Sequence, residues 1–232
     1  MNKVKNKNLL IKYKKNIFIP TGTSDLLIEA IKSNLKIKGK VLDLGAGSGY
    51  VGLNLLNLFK DKFELFASDI GKSSSKLIKS NAKINKKKII VKTGSLLKPW
   101  KNYKFDYIIN DVSGISEEVA QISPWFKNVS CNSGKDGTKL TLKIIEDASN
   151  FLNKKGVICF PILSFSDERK ILRITKKKFK YVKKIGYKEW TLPKEMTSKI
   201  LKLEKLKKKG YINYKKKFGL VVWSTKIYIA YS

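Results

Sequence analysis

The residues best suited to chemistry fall in one stretch, Val41-Leu42-Asp43-Leu44-Gly45-Ala46-Gly47-Ser48-Gly49-Tyr50. Glycines at 45, 47 and 49 permit backbone angles and a close approach that a Cβ forbids. Val51, Leu55 and Leu58 follow at helical spacing, so the loop opens a helix whose N-terminus offers free N–H groups and partial positive charge. A pyrophosphate would suit such a loop, but the spacing is G-x-G-x-G rather than G-x-G-x-x-G, and Asp43 stands two residues before the first glycine. A carboxylate there repels phosphate and favours a ligand bearing an ammonium or sulfonium group, which disfavours a nicotinamide dehydrogenase.

Two more carboxylates stand at the ends of apolar runs. Asp69 closes Phe63–Ser68, twenty residues after Gly49, where a carboxylate either accepts both hydroxyls of a ribose or caps the next helix. Asp111 comes just after Phe105-Asp106-Tyr107-Ile108-Ile109, where a carboxylate accepts hydrogen bonds or caps a turn. Ser113 adds a donor or acceptor, or with Gly114 simply makes a turn. Ser123-Pro124-Trp125-Phe126 further on carries a Trp-Phe pair of the kind that more often packs.

Positioning these groups requires strands that alternate with helices. Strands are predicted at 41–44, 63–67, 89–92, 105–109 and 157–160, and helices after Ser24 or Thr23 as cap, after Gly49, at 72–84 and at 140–152, the last closed by Asn153-Lys154-Lys155-Gly156. That order implies a Rossmann-like, doubly wound α/β sheet, mostly parallel. Beyond it, Phe179–Ile185 and Leu220–Ala230 read as strands, the latter as a C-terminal antiparallel one, with a basic helical insertion at about 193–210 between them. Ile200, Leu201, Leu203 and Leu206 would dock that insertion either over the site or on the sheet edge. Residues 1–16 read as a loose basic tail and 17–232 as one domain.

The quoted motifs, with Ile19-Pro20-Thr21-Gly22-Thr23, Ser68-Asp69-Ile70 and Gly134-Lys135-Asp136-Gly137, resemble those of class I S-adenosylmethionine-dependent methyltransferases. Across 17–163 the resemblance is to the release-factor glutamine methyltransferases and related adenine-N6 methyltransferases. It implies S-adenosylmethionine as cofactor, held by Asp43, Gly45, Ala46, Gly47 and Gly49 around its methionine part and by Asp69 at its ribose. It further implies that Ile70, Ser95 and Leu96 flank the adenine, although an acid usually stands where Ser95 does. Asp111 would lie beside the sulfonium and, with Ser113, act in methyl transfer, while Thr21, Thr23, Val112, Gly114 and Trp125 would line the substrate side. The family's fourth motif reads Asn/Asp-Pro-Pro-Tyr/Phe; here it is Asp111-Val112-Ser113-Gly114, which keeps the acceptor and loses the prolines and the stacking aromatic.

Composition sets outer limits. The chain has 232 residues, 42% of them hydrophobic, enough for a core and too many for a disordered chain. It has no His and only Cys131 and Cys159, which leaves no metal-ligand pattern and no disulfide framework. No run approaches a membrane span and the start has no apolar signal core, so a cytoplasmic protein is expected. Lys and Arg number 50 against 18 Asp and Glu, a net charge of +32. All but two of the basic residues are lysines, which codon usage explains in part. It does not explain residues 170–217, where 18 Lys and one Arg face three Glu. That concentration implies a polyanionic partner, RNA or a ribosome-associated protein. Release-factor enzymes usually carry an N-terminal helical domain, whereas about 16 residues precede the shared region here, which favours RNA.

Overall fold

The computed structural model describes residues 9–232. In chain order the elements are α1 (Gly22–Asn34), β1 (Gly39–Leu44), α2 (Tyr50–Leu58), β2 (Phe63–Asp69), α3 (Lys72–Ile84), β3 (Ile90–Thr93), β4 (Phe105–Asn110), α4 (Glu117–Ile122) and α5 (Lys139–Ala148). They continue with β5 (Leu152–Leu163), α6 (Glu168–Lys178), β6 (Tyr181–Thr191), α7 (Lys194–Thr197), α8 (Ile200–Lys208), β7 (Lys215–Lys217) and β8 (Leu220–Tyr231). The sheet runs β3-β2-β1-β4-β5-β8-β6, with β7 paired to β8. The pairs among β1 to β5 are parallel, and β8 is antiparallel to β5, β6 and β7. Strand order therefore reverses between β1 and β4, the switch point at whose carboxyl ends such sheets bind ligands.

Side chains on β1 alternate between two cores, as the period of a strand requires. Val41 packs with Leu27, Ile31, Leu53, Leu55 and Ile109, whereas Leu42 and Leu44 pack on the other face with Phe66, Trp100, Phe105, Ile108, Ile144 and Phe160. Asp43 consequently faces the α1–α2 layer. A third apolar cluster joins Ile115, Val119, Phe165, Met196, Leu203, Leu206, Ile212, Tyr214 and Trp223. The basic insertion thus docks through Leu203 and Leu206 onto the segment that follows Asp111, while Leu201 is 71% exposed.

Several expectations need correction. The cap of α1 is Thr21, whose Oγ1 accepts from Thr23 N at 3.4 Å, not Thr23 or Ser24. Residues 153–156 do not close a helix: α5 ends at Ala148, and 153–156 form an irregularity early in β5, where the register with β4 shifts between Phe105 and Tyr107. The basic stretch 194–209 breaks into α7 and α8. The expected loose end fails for residues 9–12, since Leu9 and Ile11 pack against the first core. There Asn81 on α3 and Asn85, the cap at its C-terminus, clasp the backbones of Lys12 and Leu10 through hydrogen bonds of 2.7–3.0 Å. Residues 1–8 of that expected tail lie outside the described residues.

Gly22 has no room for a side chain, because a Cβ would come within 2.5 Å of Trp190 Cη2. Gly22→Ala is expected to cost about 1–3 kcal/mol, read as a lower urea midpoint with an unchanged m value.

Candidate active site

Leu44 pairs with Ser68 on one side and Asn110 on the other. The next residues in the three strands, Asp69, Gly45 and Asp111, therefore form a row across the carboxyl edge of the sheet. With strands about 4.8 Å apart, the two outer carboxylates flank the loop on backbones about 10 Å apart. Gly45, Gly47 and Gly49 have φ of +73°, +55° and +80°, so L side chains there would be strained. Gly45 and Ala46 donate to Ser68 O, and Gly47 N donates to Asp69 Oδ2 at 3.0 Å.

Asp43 is 1% exposed beneath this loop. Its Oδ2 accepts from Gly52 N, in the first turn of α2, at 2.8 Å, and a Cβ on Gly52 would meet that oxygen at 2.8 Å. Its Oδ1 and the loop's Ser48 Oγ are buried, with no hydrogen-bond partner among the described residues. Burial, together with the charges of Asp111 and Asp69 nearby, raises the Asp43 carboxyl to about 7, against the favourable bond from Gly52. A buried carboxylate short of one partner and pushed toward neutrality gains from an adjacent cation.

Asp69 accepts from Gly47 N and, at 2.8 Å, from Gly71 N. Two N–H groups leave lone pairs on a half-buried carboxylate for two further donors. Asp111 is half-buried and accepts from Ser24 Oγ at 2.6 Å; burial and the charge of Asp25 raise its carboxyl to about 6 although the Ser24 bond lowers it. Asp25 in turn accepts from Tyr50 Oη at 2.7 Å, and burial, with that bond, raises the Tyr50 phenol. Four carboxylates thus surround one loop in a chain of net charge +32. Among the described residues, no three Asp, Glu or Cys are grouped to hold a metal ion.

The structure sorts the remaining expected site residues. Ile70 is 75% exposed beside Asp69, free to cover a ring, and Ser95 is exposed, whereas Leu96, in a left-handed conformation, packs against the second core. Val112 folds over Gly45, to whose Cβ position its Cγ2 comes within 2.5 Å, and is held there by Asn110 Oδ1, which accepts from Val112 N. Ser113 and Gly114 continue that loop, with Ser113 O accepting from the buried Ser133 Oγ at 2.6 Å. Thr23 is not available to a substrate: it is buried, its hydroxyl 3.2 Å from that of Thr225, which also accepts from Trp190 Nε1. Thr21 is used as the α1 cap. Trp125, partly buried, packs against Phe165 and Trp223. Phe126 instead meets Phe18, whose backbone oxygen lies 3.8 Å from the Cβ position of Gly47, so the aromatic pair beside the loop is Phe18 and Phe126.

Ser24, Asp25, Ser48, Tyr50 and Asn110 complete the site, and none of them was given a site role from sequence. Ser24 and Asp25 sit in the run after Pro20, where helix-capping chemistry accounts equally well for them. The reversal of strand order, the left-handed loop and the acids on either side of it define a Rossmann-like nucleoside-cofactor protein.

The chain's relatives narrow this class. The Methyltransferase small domain family matches residues 18–112. The chain is 29% identical over 183 residues to the release factor glutamine methyltransferase of Aquifex aeolicus, a match taking in 74% of this chain and 63% of that protein. It therefore spans less than two thirds of that relative. It is 32% identical over 187 residues to the methyltransferase candidate MJ0046 of Methanocaldococcus jannaschii, covering 74% of this chain and 71% of the relative. The fold superposes on a ribosomal protein L11 methylase of Lactobacillus delbrueckii subsp. bulgaricus with a TM-score of 0.58 at 15% identity, over 100% of this chain and 91% of that one. The chain belongs to the class I S-adenosylmethionine-dependent methyltransferase family.

Proposed function

We propose that the chain transfers a methyl group from S-adenosylmethionine to a nitrogen or oxygen atom of a macromolecule, either RNA or a ribosome-associated protein, in the cytoplasm. The observation that carries this reading is the row of Asp69, Gly45 and Asp111 over the buried, half-partnered Asp43. A nucleoside sulfonium fits that donor set. Asp43 answers a cation from below the loop, Asp69 has lone pairs for two ribose hydroxyls, and Ile70 offers an apolar face to a ring. When bound, such a cofactor supplies an electrophilic methyl group, which needs no metal and no covalent enzyme intermediate.

What this chain's residues contribute is alignment and proton handling. Asp111, fixed by Ser24, presents an acceptor to an N–H or O–H of the target group and so holds its lone pair in a defined direction. Asn110 and Ser133 hold the backbone of 112–113 in place of the missing prolines. The release factor glutamine methyltransferase relative supports an acceptor that belongs to the translation machinery.

Calorimetry tests the cofactor reading. The free Asp43 carboxyl, raised to about 7, is largely protonated at pH 5 and largely ionised at pH 8. A cationic ligand favours the ionised form, so binding below neutrality releases a proton. Affinity for S-adenosylmethionine is expected to rise with pH from 5.5 to about 8 and then level, with proton release visible in buffers of different ionisation heat. No binding at any pH in this range contradicts the reading. Binding without methyl transfer to any extract fraction would favour the second reading, a silent module, which the loss of the fourth motif's prolines and aromatic ring supports.

A further inference from the structure

The lysine-rich C-terminal segment ends in a projecting finger. β7 and β8 pair at Lys215–Val222, Lys216–Val221 and Lys217–Leu220, which leaves Phe218 and Gly219 as a two-residue loop. Both have positive φ, +47° and +73°, the pattern of a type I′ hairpin turn, in which Asn-Gly is the favoured pair. Phe is a poor choice for that backbone, and the ring gains nothing from packing, being fully exposed at 102%, with Leu220 beside it at 55%. A Cβ on Gly219 would have no neighbour within 4 Å, so the tip stands clear of the body. An aromatic ring held in an unfavourable conformation, in solvent, directly after three lysines has no account in folding.

The finger points to the catalytic side. β8 pairs with β5 only as far as Leu163–Thr225 and continues for five more residues to Leu220, so the tip overhangs the carboxyl end of β5 by about 17 Å. Between α8 and β7 runs a groove of about 610 Å³ lined by Glu204, Lys207, Lys208, Tyr214 and Lys216. Across Gly210, whose Cβ position lies 3.2 Å from Arg169 Nη2, a second cavity of about 240 Å³ is lined by Asp167, Arg169, Lys170 and Arg173. These are the chain's only arginines, one turn apart on α6, and among the described residues neither is ion-paired to a carboxylate. Arginine is the side chain whose fork matches phosphate. The counter-charges are few: Glu189 pairs with Lys215 and Lys217, Glu204 with Lys216, and Asp136 with Lys170, which leaves Lys208, Arg169 and Arg173 available.

We propose that Arg173, Arg169, the α8–β7 groove and Phe218 form a track for single-stranded RNA, with the cations on successive phosphates and the Phe218 ring stacked on an unpaired base. This rests on the methyltransferase reading and names its substrate class. The features favour a single strand over a duplex or a protein, since a projecting ring is useful only where a base face is open.

The test is fluorescence anisotropy of the full chain with a short fluorescein-labelled single-stranded RNA, and with its duplex, across a salt series. Phe218→Asn removes the ring and suits the turn, so the fold is kept and thermal stability holds or rises. It is expected to weaken single-strand binding about tenfold and leave duplex binding unchanged, and Phe218→Trp is expected to restore it. Arg169→Gln with Arg173→Gln is expected to reduce the salt slope for the single strand by about 1.4. Equal affinity of wild type and Phe218→Asn for the single strand, or an unchanged salt slope, overturns the track. So does Phe218-dependent binding to phosphatidylserine vesicles without any to RNA, which would make the finger a membrane contact. Calorimetry with S-adenosylhomocysteine, the demethylated product of S-adenosylmethionine, is run on the same samples. Its failure in wild type would sink the methyltransferase reading and leave the RNA result standing, whereas loss of RNA binding alone sinks only the track.

Discussion

Asp69→Ala is expected to weaken S-adenosylmethionine binding by about a hundredfold, the largest effect of any single change at the cofactor site. The carboxylate would accept two ribose hydroxyls, and hydrogen bonds to a charged acceptor contribute about 1.5–3 kcal/mol each. It also accepts from Gly47 N and Gly71 N, so its removal frees the loop as well as the ribose contact. Asp69→Asn separates the two roles. The amide oxygen can still accept from one loop N–H while its NH₂ faces a hydroxyl, and an affinity between that of wild type and Ala is expected. Calorimetry reads both. An Asp69→Ala protein that binds within a factor of three of wild type would remove the ribose role.

Asp111→Ala is expected to lower turnover by about 10²- to 10⁴-fold and to change cofactor affinity by less than fivefold. The carboxylate is held by Ser24 at 2.6 Å and stands across the loop from Asp69, on the side where the basic insertion docks. Its raised pKa of about 6 keeps it largely ionised at pH 7.5, where it accepts a hydrogen bond, and predicts that turnover falls as pH drops through 6. Ser24→Ala removes the bond that lowers this pKa, so the acid limb of the profile is expected to move to higher pH with the site otherwise intact. Equal losses of turnover and cofactor affinity in Asp111→Ala would assign Asp111 to cofactor binding or to the loop's structure.

The parts of the fold legible in the sequence were those in which local pattern and tertiary packing agree. The apolar runs of β1, β2 and β4 are buried on both faces, and α3 lies at the residues its periodicity gives, 72–84. α6 was not legible because its apolar residues, Ile171, Leu172 and Ile174, sit among basic ones, and Asp167, the cap that accepts from Lys170 N, is its clearest signal. Residues 153–156 looked like a helix stop because Asn and Gly favour one, yet pairing of Leu152 with Phe105 draws them into β5. At the site, the glycines, Asp43 and Asp69 were visible because spacing along one chain defines them. Thr23 was misplaced because its burial against Thr225, about two hundred residues away, cannot be read locally, and the packing of Trp125 on Trp223 is equally remote along the chain. The site roles of Ser24, Asp25 and Tyr50 were missed for the same reason: the Asp25–Tyr50 bond exists only once α1 packs against α2, and the Ser24–Asp111 bond only once α1 meets the end of β4.

The measurement that bears most directly on the central claim is transfer of a tritiated methyl group from S-adenosylmethionine into fractionated cell extract by wild type and Asp111→Ala. Wild type is expected to label macromolecular material, the label to be released by nuclease rather than protease, and Asp111→Ala to leave it near background. Absence of wild-type labelling in every fraction, with the protein folded and the cofactor bound, would contradict the assignment of this chain as an active methyltransferase.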